Sequence, residues 1–207
     1  MFASESYPTD PGAVDEFLSE MRHGTLIASA PGGHPQVSIL PFLKFGDEIE
    51  LHAVQADPTL EAARLNPRVT FFVSDYLAWT PHHWVDPIDA GRATLHFRAV
   101  AFECEASVSL DPADVAAALR RLVGAYEADQ HGYRAIEVGE FYGARLRRLA
   151  TLRLRILRQH AKFKTGPAAT RQTKERVIAR LRERGEPGDA RAADVIESYL
   201  APAPESA

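Results

Sequence analysis

The chain has 207 residues, 45% of them hydrophobic and 25% charged, with a formal net charge of −4. That is enough apolar material for one sizeable core, and it excludes a disordered chain. The longest apolar runs, such as residues 39–43, are too short to span a bilayer, so no membrane partner is expected. Acids spread through the first twenty residues argue against a secretory signal, and the single Cys104 forms no intramolecular disulfide; both point to a reducing cytoplasm.

The elements follow in order. Asp10 and Pro11 open a helix whose apolar face is Val14, Phe17, Leu18 and Met21, and Gly24 ends it. Strands are expected over 25–30, 35–45 and 48–54, separated by turns at residues 31–33 and at Gly46-Asp47. Asp57-Pro58 starts a short helix to about residue 64, and 68–74 is the next strand. Residues 76–88, rich in aromatics, His and Pro, read as a loop or irregular strand. A long strand follows up to residue 108. Asp111-Pro112 caps a helix with Val115, Ala118, Leu119, Leu122, Val123 and Tyr126 as its stripe. A further helix is expected over 138–149, then a strand in which Leu152, Leu154 and Ile156 alternate with Arg153 and Arg155. Helices at 170–184 and 190–200 close the chain, and 201–207 is expected to fray. With no βαβ rhythm and no internal repeat, the fold expected is mainly β with helices (α+β), an antiparallel barrel of six strands with peripheral helices. Residues 1–165 would form the barrel domain, and 166–207 a basic helical extension packed on it.

Charge is unevenly distributed. Residues 145–184 carry 14 Lys and Arg against two Glu. Such a block calls for an anionic partner: a nucleic-acid backbone, a phosphate-bearing cofactor or an acidic protein surface. No glycine-rich nucleotide loop, nucleophile elbow or zincin motif is present, and one cysteine cannot build a thiolate zinc site. His82 and His83, adjacent and without acids beside them, read as ordinary loop residues rather than metal ligands.

Two stretches bear on binding. Arg92, Thr94, His96 and Arg98 share one face by period two, continued by Val100, Phe102 and Cys104. That face is either a solvated barrel end or a pocket wall whose donors hold an anionic or carbonyl-rich ligand. Residues 52–58 lead from a strand into a helix start, which is either a plain cap or a phosphate site. Arg153, Arg155, Lys162 and Lys164 would complete an anion site, or else are surface charge.

Gly24 to Ala28, Leu40-Pro41-Phe42, and His52-Ala53 followed by Ala56 and Pro58 together resemble the first half of PaiB-type FMN-binding negative transcriptional regulators. Thr94 to Val100 stands where that family has a Thr-Trp-Asn-Tyr stretch, and Lys162-Phe163-Lys164 with the helix after it resembles its Lys-x-Lys segment. The resemblance implies an FMN-binding split barrel related to pyridoxamine-phosphate-oxidase-like proteins, working as a homodimer with FMN at the subunit interface. Ser38, Ile39, Leu40, Pro41, His52, Ala53 and Val54 would then line the flavin, and Gln55 to Thr59 would lie near its phosphate. Lys162 or Lys164 would arrive from the last barrel segment, and Thr94, His96 and Arg98 would offer further donors. This chain departs from the family pattern with Gly166-Pro167-Ala168 in place of Ser-Gln-Asn, Leu95-His96 in place of Trp-Asn, and Asp57 in place of Asn. The first function expected is that of a flavin-dependent oxidoreductase or flavin reductase with a small-molecule redox substrate. The alternatives are a regulator acting through DNA or a protein partner, and a haem-binding barrel using His52, His82, His83 or His96 as axial ligand.

Overall fold

The structure, a computed structural model, describes residues 10–127, 132–166 and 169–200. The expected frayed tail, and Pro167 and Ala168 of the Gly166-Pro167-Ala168 departure, lie outside the described residues.

Six strands close into an antiparallel barrel: β1 (His23–Ala28), β2 (Gln36–Phe45), β3 (Glu48–Val54), β4 (Arg68–Thr80), β5 (Thr94–Ser109) and β6 (Leu149–Lys164). The strand order is β1-β2-β3-β6-β5-β4, with β4 returning to β1. The helices are α1 (Pro11–Glu20), α2 (Pro58–Leu65), α3 (Pro112–Tyr126), α4 (Gly143–Leu146), α5 (Arg171–Arg184) and α6 (Asp189–Ser198). The expected six-stranded α+β barrel is the fold observed.

Several expected boundaries are corrected. Residues 76–80 extend β4, and a single 3-10 turn, His82–Trp84, follows. Gly24 lies within β1 and does not end a helix. The helix expected over 138–149 shrinks to α4, because β6 already begins at Leu149. Arg92 sits in a 3-10 turn capped by Asp89, so it leaves the strand face that begins at Thr94.

The described chain forms two compact units. One comprises, among the described residues, 15–73, 101–127 and 132–160. Its barrel interior holds Leu26, Phe42, Ile49, Leu51, Phe71, Leu152 and Leu154, all buried. Gly24 is required here, since a Cβ at that position would overlap the Phe71 ring, which itself packs edge-on against Phe42 at 5.2 Å. On the outer face, Glu50 is 5% exposed and meets Arg121 of α3 through both carboxylate oxygens. The Tyr126 hydroxyl ties the end of α3 to β2, accepting from the Phe42 N–H at 3.2 Å and facing the carbonyls of Phe42 and Arg22 at 2.5 and 2.6 Å.

The other unit comprises, among the described residues, 10–14, 74–100, 161–166 and 169–200. In it Leu77 and Ala78 pack against Val177, Ile178 and Leu181 of α5 and Ala192, Ala193 and Ile196 of α6. Gly188 lies against β4, where a Cβ would come within 2.7 Å of the Leu77 carbonyl oxygen. Arg184 forks onto the buried Asp189 at 2.8 and 2.6 Å, and Arg176 donates to the carbonyls of Trp84 and Val85. Much of the α5 charge is therefore matched locally: Arg171 pairs with Glu175, Arg180 with Glu183, and Arg182 with Asp194 and Glu197. No described helix is long and apolar enough to cross a membrane.

Candidate functional site

Two places in the structure collect the residues expected to bind. The first is on the barrel wall of the unit built on Asp15–Val73. Alternation along β2 turns Phe42 inward and Val37 and Ile39 outward, leaving these two 60% and 71% exposed. On β3, Ala53 points inward, while His52 is half-buried and Val54 is 53% exposed. Leu40 and Pro41 are half-buried. His52 is the cross-strand partner of Thr151 on β6, so the two side chains share a face. The Thr151 hydroxyl is buried and has no hydrogen-bond partner among the described residues. Burial holds the His52 imidazole below the usual histidine range, which favours its neutral form.

Next to this face the start of α2 is already occupied. Asp57 caps it by accepting from the Thr59 N–H at 2.8 Å, and Pro58 takes the first helical position. Ser38 donates to the same carboxylate at 2.9 Å and lies 2.8 Å from the Thr59 hydroxyl. Gln55 is exposed and donates from its side chain to the Leu149 carbonyl. Ser38, Asp57 and Thr59 thus form one network, and the group facing the helix dipole is the chain's own carboxylate.

The second place is a cavity of about 410 Å³ in the other unit. Its walls include Thr80, Thr94, His96, Lys164, Thr170 and Lys174. His96 is 3% exposed, its Nε2 lies 2.8 Å from the Thr80 hydroxyl, and its Nδ1 has no hydrogen-bond partner among the described residues. Burial first, and the Lys164 ammonium second, bring its pKa down to about 4, against the opposing pull of the Lys164 backbone carbonyl. The ring is therefore neutral near pH 7. Arg98, on the same strand face, is instead locked to Asp75 at 2.9 Å, and Asp75 also meets Arg191 at 3.1 Å. Lys162 is half-buried on β6 and does not line the cavity. No cluster of His, Cys, Asp or Glu among the described residues is arranged to hold a metal.

Thr151, Thr80, Thr170 and Lys174 were not among the residues the sequence singled out. Thr151 needed the strand register with His52. The other three needed the cavity, since they come from segments about 90 residues apart.

Residues 1–158 match the family model described as "Putative FMN-binding domain". The chain belongs to this family. FMN is accordingly its cofactor. No curated protein matches the sequence significantly. Among solved structures, the chain is similar to the flavocytochrome Anf3 from Azotobacter vinelandii, with 19% identity, a TM-score of 0.63, and 81% of this chain and 74% of that one covered. It is also similar to the FAD- and haem-binding protein from Mycobacterium smegmatis, at 17% identity and TM-score 0.62, over 82% and 78% of the two chains. A third is described as a "putative 5-nitroimidazole antibiotic resistance protein" from Bacteroides thetaiotaomicron, at 13% identity and TM-score 0.57, over 75% and 85% of the two chains. At these identities the likeness establishes the fold alone.

The residues present fit FMN on the β2–β3 face. An exposed apolar strip suits a planar ring, and the unpartnered Thr151 hydroxyl beside a neutral His52 suits a ring with carbonyl and imine groups at its edge. The start of α2 does not offer the free anion slot expected of it, because Asp57 fills it.

Proposed function

We propose that this protein is an FMN-dependent oxidoreductase or flavin reductase of the PaiB-like branch, acting as a homodimer with FMN held where the two copies meet. The observation that carries this reading is the outward strip of Val37, Ile39 and Val54 on β2 and β3, bordered by His52 and Thr151. Adjacent apolar side chains at this exposure mark an interaction surface. In a family that binds FMN, a second copy and the flavin are its natural occupants.

When bound, FMN supplies the electron or hydride transfer. The chain's own residues bind and orient it. Val37, Ile39 and Val54 would keep water from the ring, the Thr151 hydroxyl would offer it a hydrogen bond, and neutral His52 would offer one donor or acceptor nitrogen without a charge. Lys162 or Lys164 is the cation the resemblance assigns to the phosphate.

A purely regulatory role through DNA has less support. The cationic stretch on α5 is matched by acids of its own helix and of α6, as in a docked surface helix.

The test is the visible spectrum of the protein purified without added cofactor, then during FMN titration, alongside sedimentation analysis of wild type and Ile39→Asp. Paired flavin bands, quenched FMN fluorescence and a dimer that Ile39→Asp splits with loss of flavin are expected. A colourless protein that leaves FMN fluorescence unchanged would sink the reading, and a Soret band would replace it with haem.

A further inference from the structure

The geometry points to a second site: the cavity between β5, the end of β6 and the start of α5 binds a small organic anion, a phosphate monoester or a carboxylate. Lys164 and Lys174 supply the charge, and His96 Nδ1 supplies a directed hydrogen bond. The cavity shares one residue, Lys164, with the flavin reading, which gives that cation to the cofactor's phosphate; the anion site itself stands on the cavity's own lining.

Three independent features converge there. The first is electrostatic. Lys164 and Lys174 both line the cavity, and among the described residues neither is paired with a carboxylate. The third cation of the wall, Arg92, is 3.7 Å from Asp89 and largely exposed. The one acid of the wall, Asp86, has its Oδ1 engaged by the N–H groups of Ile88 and Asp89 at 2.8 and 2.9 Å. The net field therefore favours an anion.

The second is the start of α5, a helix of 14 residues. Thr170 caps it, accepting from the Thr173 N–H, and Thr170, Thr173 and Lys174 from its first turn line the cavity. The positive end of the helix dipole thus lies at the cavity wall. At α2 that end is neutralised by Asp57; here the cap is an uncharged hydroxyl.

The third is the buried imidazole. A ring 3% exposed, with one nitrogen held by Thr80 and the other unsatisfied, is costly to maintain unless something completes it. With the Thr80 hydroxyl donating to Nε2, the neutral tautomer carries its proton on Nδ1, and that N–H donates to an oxygen of the ligand. Gly166 lies against the Cε1 edge of the ring at the same wall, so no side chain intervenes there. At about 410 Å³ the cavity has the volume of a small-molecule site.

One chemistry has two sources, the phosphate of FMN itself or a separate anionic substrate, and a single experiment separates them. The full chain, labelled with 13C at histidine Cε1, is titrated with inorganic phosphate, and the His96 resonance is assigned from a His96→Gln spectrum. A saturable shift of that resonance is expected. Lys164→Gln and Lys174→Gln should each weaken it about ten-fold, as loss of a charge-assisted contact does, while Lys164→Arg retains it. Circular dichroism confirms that the variants remain folded. FMN and riboflavin are then titrated with and without phosphate. If phosphate weakens FMN but not riboflavin binding, the anion is the cofactor's own phosphate. If FMN affinity does not change while His96 saturates, the site belongs to a second ligand, and if FMN fails to bind at all, the flavin reading falls and the anion site stands. A His96 resonance unmoved by phosphate, or moved equally in both Lys→Gln variants, overturns the proposal.

Discussion

The Ser38 hydroxyl donates to the Asp57 carboxylate at 2.9 Å, tying β2 to the cap of α2. One side chain therefore does two jobs, closing a helix and anchoring the strand whose outer residues form the exposed strip. Asp57→Ala removes both and should cost about 1–2 kcal/mol, or about 3–6 °C in Tm for a chain of this size. Asp57→Asn, which keeps a capping oxygen, should lose less than half of that. Thermal melts followed by circular dichroism decide it; an Ala variant melting with the wild type would show that the cap contributes nothing.

Gly24 and Phe71 make a complementary pair. Gly24→Ala forces a methyl into the Phe71 ring and should destabilise by about 1–3 kcal/mol, the usual cost of overpacking. Phe71→Leu placed on top should recover part of the loss, because it vacates the space. Urea denaturation of the two single variants and the double variant gives the coupling, and additive losses would rule out the contact.

The neutral His96 ring sets a pH dependence. Its folded pKa of about 4 lies below the ordinary 6.5, so between those values the unfolded chain binds the extra proton. The native state has its full stability from this group above about pH 6.5 and loses it progressively as pH falls to about 4, by about 3 kcal/mol in all. Denaturation at pH 7.5, 5.5 and 4 should show a steeper loss in the wild type than in His96→Asn. Parallel profiles would mean that the ring charges freely in the native protein.

Cys104 is 2% exposed, and burial pushes its thiol up to about 12. Reaction with a disulfide reagent at pH 8 should therefore be negligible in the native protein and complete within minutes in denaturant. Rapid labelling under native conditions would place the thiol outside the barrel core.

What could be read before the structure followed from local chemistry. Asp57-Pro58 and Asp111-Pro112 announced helix starts, and Leu152 and Leu154 between Arg153 and Arg155 announced a strand with two unlike faces. The reading failed where tertiary packing overrode periodicity. Leu77 and Ala78 are both buried because α5 and α6 pack on that end of β4, so the alternation that marks a half-buried strand disappears there. Arg92 kept period two with Thr94 and His96 yet left the strand, because Asp89 caps a tight turn in front of it. The His52–Thr151 pair and the meeting of His96 with the start of α5 are long-range, and no local pattern carries them.

The pairing of β3 with β6 joins His52 to Thr151, roughly a hundred positions along the chain. During synthesis the first three strands therefore emerge with the free side of β3 unpaired, and they wait about 5–20 s for the ribosome to deliver its neighbour. In that interval Val37, Ile39 and the unbonded backbone of β3 together present an open sheet edge beside an apolar strip, the combination most prone to pair with a neighbouring nascent chain. Yield from a crowded expression host should thus depend on chaperone capacity more than the stability of the finished barrel would suggest.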